Sequence, residues 1–596
     1  LSPQPAFLKE LKPDRFAPLL LLVITILGAG LRLFQIGSKG LWLDEAFSVW
    51  MGQQPLLDMF AWLLRVDQHP PLYYTLLHFW LWLGDDAAMV RAFSAIIGTL
   101  TIPIIYLLGR RLAGWQVGLV AALILAVSPF HIRFAQETRM YTLLTFNASV
   151  AMLALARLLT DSRAATIPLG RQLVDFYRYW RATQIMETKQ VGYQQDFRES
   201  AAWLGASTRQ RWLPLRAIET DLAWLGLSLF TVATLLSHNT AIFFPIAINL
   251  FVFGLIFFRK SRPGSNANEN QPERQSNALS KSKQSNTLSK SKQSFDAPTP
   301  FSEERLQPPS LKNWLTAQVA TFLLWSPWLV AFTLQAAGVD REFWISAPNF
   351  NTVMWTLSNF LSATLPQQVK WGGLVWYLCS LILLLGLIHF YKKPAHLALL
   401  LLLFSTPLVG EWLVSLRRPI FYDRTLIWST IPLYLLLAAG VMQLRHRPYI
   451  LAGIIMLVIL NGFSLREYFF NFEKEQWDEA AAHVADRVGA EDLLLFNATW
   501  VQIPFDFYFR RYNRPVEKHG VPTDLFDRGI LEPKMTRDDL PRMRDLIRDH
   551  DRVWLIYSHN WYTDPDNLIP AALGRELKLL DQQNFVGLEV RLYGVP

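Results

Sequence analysis

The chain has 596 residues, 52% of them hydrophobic and 13% aromatic, with a net charge of +9 and a mean hydropathy of +0.19. That apolar content excludes an ordinary soluble assembly, and the lysines and arginines sit in short clusters between apolar runs, a pattern that does not indicate nucleic acid. The single cysteine, Cys379, lies inside an apolar run, which excludes a disulfide framework and a cysteine-based metal site.

The first apolar run, 18 to 36, follows Lys9, Lys12 and Arg15 and approaches the ~20 residues a helix needs to cross hydrocarbon. No small-residue cleavage site follows it, so it is expected to remain as an anchor. The positive-inside rule places the N-terminus in the cytoplasm and the next loop, which contains LWLDEAFSVW, outside. The run 92 to 109 ends at Arg110-Arg111 and should therefore run inward, leaving no parity for a crossing between the two. HPPLYYTLLHFWLWLG, short after its prolines and carrying Tyr73, Tyr74, Trp80 and Trp82, accordingly reads as an interfacial helix.

Spans at 116 to 132 and 141 to 158 lead into a basic cytoplasmic segment, 159 to 221, with Arg163, Arg171, Arg178, Arg181 and Lys189. Spans at 222 to 238 and 241 to 258 follow, ending at Arg259-Lys260. Residues 261 to 312, with the repeat SNALSKSKQ/SNTLSKSKQ, are too polar to bury a core and are expected to form a disordered cytoplasmic linker. Spans at 313 to 333, 371 to 390, 396 to 416, 425 to 443 and 448 to 465 bring the expected total to about eleven crossings. Beyond them WDEAAAHVADRVGAE, LLLF and VWLIY alternate between helix and strand patterns. The expected fold class is mainly α: a polytopic membrane domain with interfacial helices over residues 1 to 466, then a small external soluble α/β domain over 467 to 596.

This topology puts Asp44, Glu45, Asp67, His69, Arg133, Glu137, Arg139, Asp423 and Arg424 on one outer side, the convergence that an active site requires. Asp44-Glu45 lies between Trp42 and Phe47, where burial would raise a carboxyl pKa toward neutrality and suit it to general-base work. An acidic residue opening the helix AFSVWM would equally serve as an N-cap. Arg133 and Arg139, on either side of Glu137, can hold a phosphate in bidentate fashion or snorkel to anionic lipid. Arg417, Arg418 and Arg424 form a second basic cluster, and Glu411, deeper in its span, should face a partner or a water-filled cavity. There is no Walker motif, HExxH or CxxC pair, and GAGLRLFQIG lies in an apolar helix, which argues against a nucleotide-driven pump.

LWLDEAFSVW, DQHPPLYYTLLHFWLWLG, MVRAFSAIIGTL, RRLAGWQVGLVAALILAVSP and QETRMYTLL, in that order between residues 40 and 150, resemble the GT-C class of polytopic glycosyltransferases. The resemblance is to the family 39 group in particular, with its protein O-mannosyltransferases and lipid A aminoarabinose transferases. PIFYDRTLIWSTIPLYLLLAAG is similar to bacterial members, whereas the segments 159 to 221 and 261 to 312 match nothing in the pattern. The resemblance implies inverting transfer from a polyprenyl-phosphate sugar to a lipid, glycan or protein acceptor at the outer face of the cytoplasmic membrane. Because nucleotide sugars are confined to the cytoplasm, an outer site needs such a membrane-borne donor.

In the same resemblance Asp44 and Glu45 are the expected catalytic residues, with Asp44 the general base, and His69, Arg139 and Arg424 surround the leaving phosphate. Arg133, Glu137, Tyr141 and Glu411 are expected among the further substrate-binding positions. Aminoarabinose transferases commonly carry Lys before the Pro-Pro pair where this chain has His69. No cofactor is required, although Asp44 and Glu45 could hold Mg²⁺ or Mn²⁺. A polyprenyl-lipid transporter or flippase would also use phosphate-binding arginines, but should show internal repeats and midplane ionisable groups. A non-catalytic glycan-binding receptor would rely on the external domain.

Overall fold

The computed structural model describes residues 15–65, 69–172, 174, 177, 218–260, 306–338, 347–361, 364–365, 367–368, 372–525, 527 and 533–595. The expectations for Lys9, Lys12, Asp67, Arg178, Arg181, Lys189 and most of the polar linker lie outside these residues. Eight helices build the N-terminal half of the bundle: α1 (Ala17–Leu33), α2 (Leu43–Gln53), α3 (Leu56–Arg65), α4 (Leu72–Trp80), α5 (Ala87–Ala113), α6 (Trp115–Val127), α7 (Pro129–Ala135) and α8 (Tyr141–Thr160).

Helix α5 begins where the Asp86 carboxylate accepts from the Ala88 and Met89 amides, and it ends with Arg110 and Arg111 in its last turn. Its 27 residues extend about 40 Å, enough to pass through a hydrocarbon layer of ~30 Å. By contrast the nine residues of α4 reach only about 14 Å, too short to cross, and Tyr73, Tyr74 and Leu77 bury into the protein.

The predicted crossings overlap helices, but length and composition qualify only six helices as spans, or seven if the bent α6–α7 pair counts as one. The total of eleven is therefore not reached on these criteria among the described residues. Several of the predicted segments are shorter apolar helices, such as Ala17–Leu33, Trp376–Phe390 and Ile427–Gln443. The chain is a multi-pass membrane protein whose outer surface keeps Leu19, Leu22, Val23, Ile26, Phe257 and Phe258 exposed, side chains that lipid rather than water accommodates.

The break between α6 and α7 bends the chain by 57° at Ser128-Pro129, because proline has no N–H to continue the helical ladder. Carbonyls near such a break need other donors in an apolar surrounding. Arg32, fully buried on α1, supplies them: its guanidinium donates to Leu125 O at 3.1 Å, Ala126 O at 3.0 Å and Gly28 O at 3.0 Å.

The end of the polar linker is also ordered differently from expectation. Leu306 is buried, Gln307 N donates to Leu159 O at 2.7 Å and Ser310 N to Ala164 O at 3.2 Å. Backbone pairing of this kind holds residues 306–312 against the end of α8, in spite of their polar composition.

After the last apolar helix, Arg447–Phe470, the chain forms a five-stranded sheet. Strands Glu517–Gly520, Leu493–Asn497 and Arg552–Ser558 run parallel, and Leu588–Gly594 and Lys578–Phe585 complete the order antiparallel. The LLLFN strand, flanked by parallel neighbours on both sides, is wholly buried, as expected for a parallel strand covered on both faces. This region packs directly on α2: Tyr508 Oη accepts from Leu41 N at 2.6 Å, Glu475 Oε2 accepts from Leu43 N at 3.0 Å, and Trp500 meets Phe47 edge-on at 5.2 Å.

The helices Gly372–Phe390 and Thr430–Gln443 approach through Gly386 and Gly440, where a Cβ would collide with the Leu436 and Ile382 carbonyls respectively. Neither carbonyl can move without breaking its helix. Gly440→Val should therefore lower the stability of the solubilised protein by about 1–3 kcal/mol or more, read as an earlier loss of the monodisperse species on heating, whereas Gly462→Ala, at an open position, should leave it unchanged.

Candidate active site

Two neighbouring carboxylates in the first turn of α2 leave the helix about 100° apart and enter opposite environments. Glu45 is fully buried. Its Oε1 accepts from Arg91 Nε at 2.8 Å and Thr138 N at 2.9 Å, and its Oε2 from Arg91 Nη2 at 2.7 Å and Lys474 Nζ at 2.9 Å. Arg91 also donates to the Ile36, Lys39 and Gly40 carbonyls, and Lys474 to Gln136 O. One carboxylate thereby ties α2, α5, the turn before α8 and the segment after the last apolar helix together.

Burial works to raise the Glu45 carboxyl, but Arg91 and Lys474 outweigh it and bring it down to about 2. For Lys474, burial and the repulsion of Arg91 prevail over the attraction of Glu45, and its ammonium is lowered to about 8. The N-cap expectation fails for both acidic residues, because Trp42 precedes α2 and no side chain caps it.

Asp44 points the other way and keeps 26% of its side chain exposed. Its Oδ2 accepts from Arg424 Nη1 at 3.0 Å and faces Arg139 Nη2 at 3.9 Å. Arg139, in the turn between α7 and α8, is itself fixed: Nη1 donates to Asp44 O at 3.3 Å, Ser48 Oγ at 3.2 Å and Tyr74 Oη at 3.5 Å, and Nη2 lies 3.4 Å from His69 Nε2. Arg424 stands over the rings of Tyr422, Tyr141 and Trp42 at 4.8, 5.7 and 5.8 Å, where cation–π attraction holds its plane. His69 meets the His238 ring edge-on at 5.4 Å.

Burial alone would raise the Asp44 carboxyl, yet Arg139, Arg424 and His69 together hold it below the usual aspartate range. The shift toward neutrality expected from the sequence is thus reversed. Desolvation is present, but cations 95 and 380 positions away in the chain override it.

The remaining sequence candidates lie at graded distances from Asp44. Tyr141 lies under Arg424, as just described, and Glu411 Oε2 accepts from the Thr425 hydroxyl at 2.7 Å, one residue beyond Arg424. Glu137 Oε1 faces Arg133 Nε at 3.5 Å, and Arg133 spreads over Phe134 and Phe472 rather than joining Asp44. Asp423 accepts from Asn359 Nδ2 at 2.6 Å. Arg417 is exposed and Arg418 half-buried, neither among the ion pairs of Asp44.

Arg91, Lys474, Ser48, Tyr74 and His238 escaped the sequence reading as site residues. Arg91 could have been suspected as the one charge among the first turns of an otherwise apolar helix. Lys474, inside FEKEQW, resembles any exposed post-helix lysine, and only the long-range packing reveals it.

The acidic pair does not suit Mg²⁺ or Mn²⁺. Asp44 and Glu45 turn away from each other, both are already faced by guanidinium or ammonium groups, and a cation site needs several oxygens converging on one point. Among the described residues no group of three or more His, Cys, Asp or Glu side chains could hold a metal ion.

Glu45→Gln should strand Arg91 and Lys474 in the interior and cost about 3–5 kcal/mol, measured as thermal unfolding in detergent, whereas Asp44→Asn should change stability far less. The Glu45 contribution is complete above its ordinary value of 4.5 and lost as pH falls toward about 2. The unfolded chain binds the Lys474 proton more tightly than the folded one, so between about pH 8 and 10.5 stability should rise with pH. Lys474→Met should flatten that rise.

A family model described as Dolichyl-phosphate-mannose-protein mannosyltransferase matches residues 68–170, the stretch that holds His69, Tyr74, Arg91, Arg133, Glu137, Arg139 and Tyr141. Across nearly the whole chain the fold is similar to that of ArnT from Cupriavidus metallidurans. Its apo structure aligns with a TM-score of 0.52 at 11% identity, covering 96% of this chain and 97% of that one. The form bound to undecaprenyl phosphate gives 0.50 at the same identity and coverage. No curated protein matches the sequence. The resemblance to GT-C glycosyltransferases first read from the motifs is thus met by a family match over one segment and by the fold over both chains.

Proposed function

We propose that the chain is an inverting glycosyltransferase that moves a sugar from a polyprenyl-phosphate donor to an acceptor hydroxyl at the outer face of the cytoplasmic membrane. The observation that carries the reading is the partly exposed Asp44 carboxylate held between the guanidiniums of Arg139 and Arg424. A phosphate entering beside them meets two cations whose side chains are only 4% and 15% exposed, in surroundings where charge interactions are stronger than in water. The surrounding apolar helices suit a lipid tail, and the ArnT fold has been crystallised with undecaprenyl phosphate bound.

In the reaction, the acceptor oxygen forms its bond to the anomeric carbon as its proton passes to the Asp44 carboxylate. The bond from that carbon to the phosphate oxygen breaks on the opposite face, and the polyprenyl phosphate leaves with the electron pair. Arg139 and Arg424 take up its negative charge, with His69 adjoining Arg139. Glu45 has no part in the proton transfer, since its four hydrogen bonds are internal. It is a positioning residue for Asp44.

The same cations explain how a carboxylate held below its usual range can act as a base. In the empty site they stabilise its anionic form, and a donor phosphate competes for them, so the proton affinity of Asp44 rises once donor is bound. Asp44→Asn should therefore lower kcat by about 10²–10⁴-fold with a polyprenyl-phosphate sugar while donor binding persists; undiminished turnover would remove Asp44 from the mechanism. The acidic limb of kcat/KM, which reports the free enzyme, should fall below the ordinary aspartate value of 3.8, and the limb of kcat should lie higher. Coincident limbs would refute the competition.

A further inference from the structure

Arg91, beside Glu45, and Arg110, near the other end of α5, are nineteen residues apart on one helix, about 29 Å along its axis. At that far end lies a cavity of about 600 Å³ in which the ends of α5 and α8, the start of the Glu219–Leu235 helix and the start of the Pro394–Ser415 helix meet. Nothing in the mechanism above uses it. Its volume is within the ~300–1,000 Å³ typical of small-ligand sites.

Among the described residues the lining holds five Lys or Arg side chains, Arg110, Arg111, Arg157, Arg163 and Lys393, against two carboxylates, Asp161 and Glu219. The carboxylates are already engaged on one side. Asp161 accepts from Arg163 Nε at 3.0 Å and from the Thr220 hydroxyl at 2.6 Å, and Arg163 Nη2 lies 3.7 Å from Glu219. Arg111 is held as well, its Nε donating to Thr160 Oγ1 at 2.6 Å. The positive-inside rule asks only for cations near one membrane face. It does not ask that cations from three separate helix ends line one concave space around an internally paired rim, and that arrangement is what a multiply charged anion requires.

We propose that this cavity is a second ligand site, distinct from the Asp44 site, which binds a phosphate-bearing anion at the opposite end of the bundle. The shared chemistry is a phosphate group, carried either by an anionic phospholipid headgroup or by a soluble polyphosphate. The cavity stands at the end of apolar spans, where a headgroup would sit, and is also polar enough for a free ion.

The test uses the full chain in nanodiscs with Arg157→Gln/Lys393→Gln as the variant, both positions lying outside the Asp44 machinery, and Arg157→Glu alone as a second variant should the double one unfold. In one arm the discs are phosphatidylcholine and inorganic pyrophosphate is titrated calorimetrically. In the other, discs of phosphatidylcholine and phosphatidylglycerol in equal parts are dissolved and phosphatidylglycerol retained by the protein is counted by native mass spectrometry. Saturable binding in either arm, weakened at least about tenfold by the variant, as losing one charge-assisted hydrogen bond would do, supports the site and identifies its source. Absence of binding in both arms, or equal binding by the folded variant, overturns it. Glycosyl transfer is not the readout, so failure here leaves the Asp44 reading intact.

Discussion

The arrangement of the Asp44 site depends on the burial of one carboxylate. Glu45 is an anion with no access to water, and such a charge persists only when cations and hydrogen-bond donors surround it. Arg91 and Lys474 provide the charge and Thr138 N the remaining donor. With those bonds made, the first turn of α2, which carries Asp44, has a fixed position relative to the turn carrying Arg139. The adjacent acid, one residue earlier, is then presented to the open side without choice of orientation.

Around Asp44 the balance of charge runs the other way. One carboxylate faces two guanidiniums, so the site carries excess positive charge over a partly exposed opening. Aromatic rings from Trp42, Tyr141 and Tyr422 hold the Arg424 plane without neutralising it, and Ser48 and Tyr74 do the same for Arg139 with neutral oxygens. A centre built this way attracts an anion and still retains a group able to accept a proton.

Membrane class, helical elements and the short α4 were legible in the sequence because apolar run length and interfacial aromatics are local properties. Grouping Asp44 with Arg139 and Arg424 was legible through side-counting, since residues on one face of a bundle are candidates for contact. What pattern could not supply was magnitude and direction. The desolvation expected to raise Asp44 is real, but the outcome depends on cation distances that no periodicity encodes. Arg133 carried the same sequence signal as Arg139 and went to Glu137 instead, because the turn between α7 and α8 separates them onto different faces. Lys474 had no local signal at all, and the docked residues 306–312 were masked by a polar composition that usually leaves a segment solvated.

The bond between Lys474 and Glu45 joins residues 429 positions apart, and this has a bearing on biogenesis. During synthesis the first loop emerges and α5 inserts long before Lys474 leaves the ribosome, so the early helices must wait with Glu45 paired to Arg91 but short of one of its four hydrogen bonds. Closure of the cluster beside Asp44 is then a late event, coupled to completion of the C-terminal part of the chain. A prematurely terminated product would retain its anchoring helices yet lack the ammonium that completes the buried cluster, leaving Glu45 Oε2 one donor short.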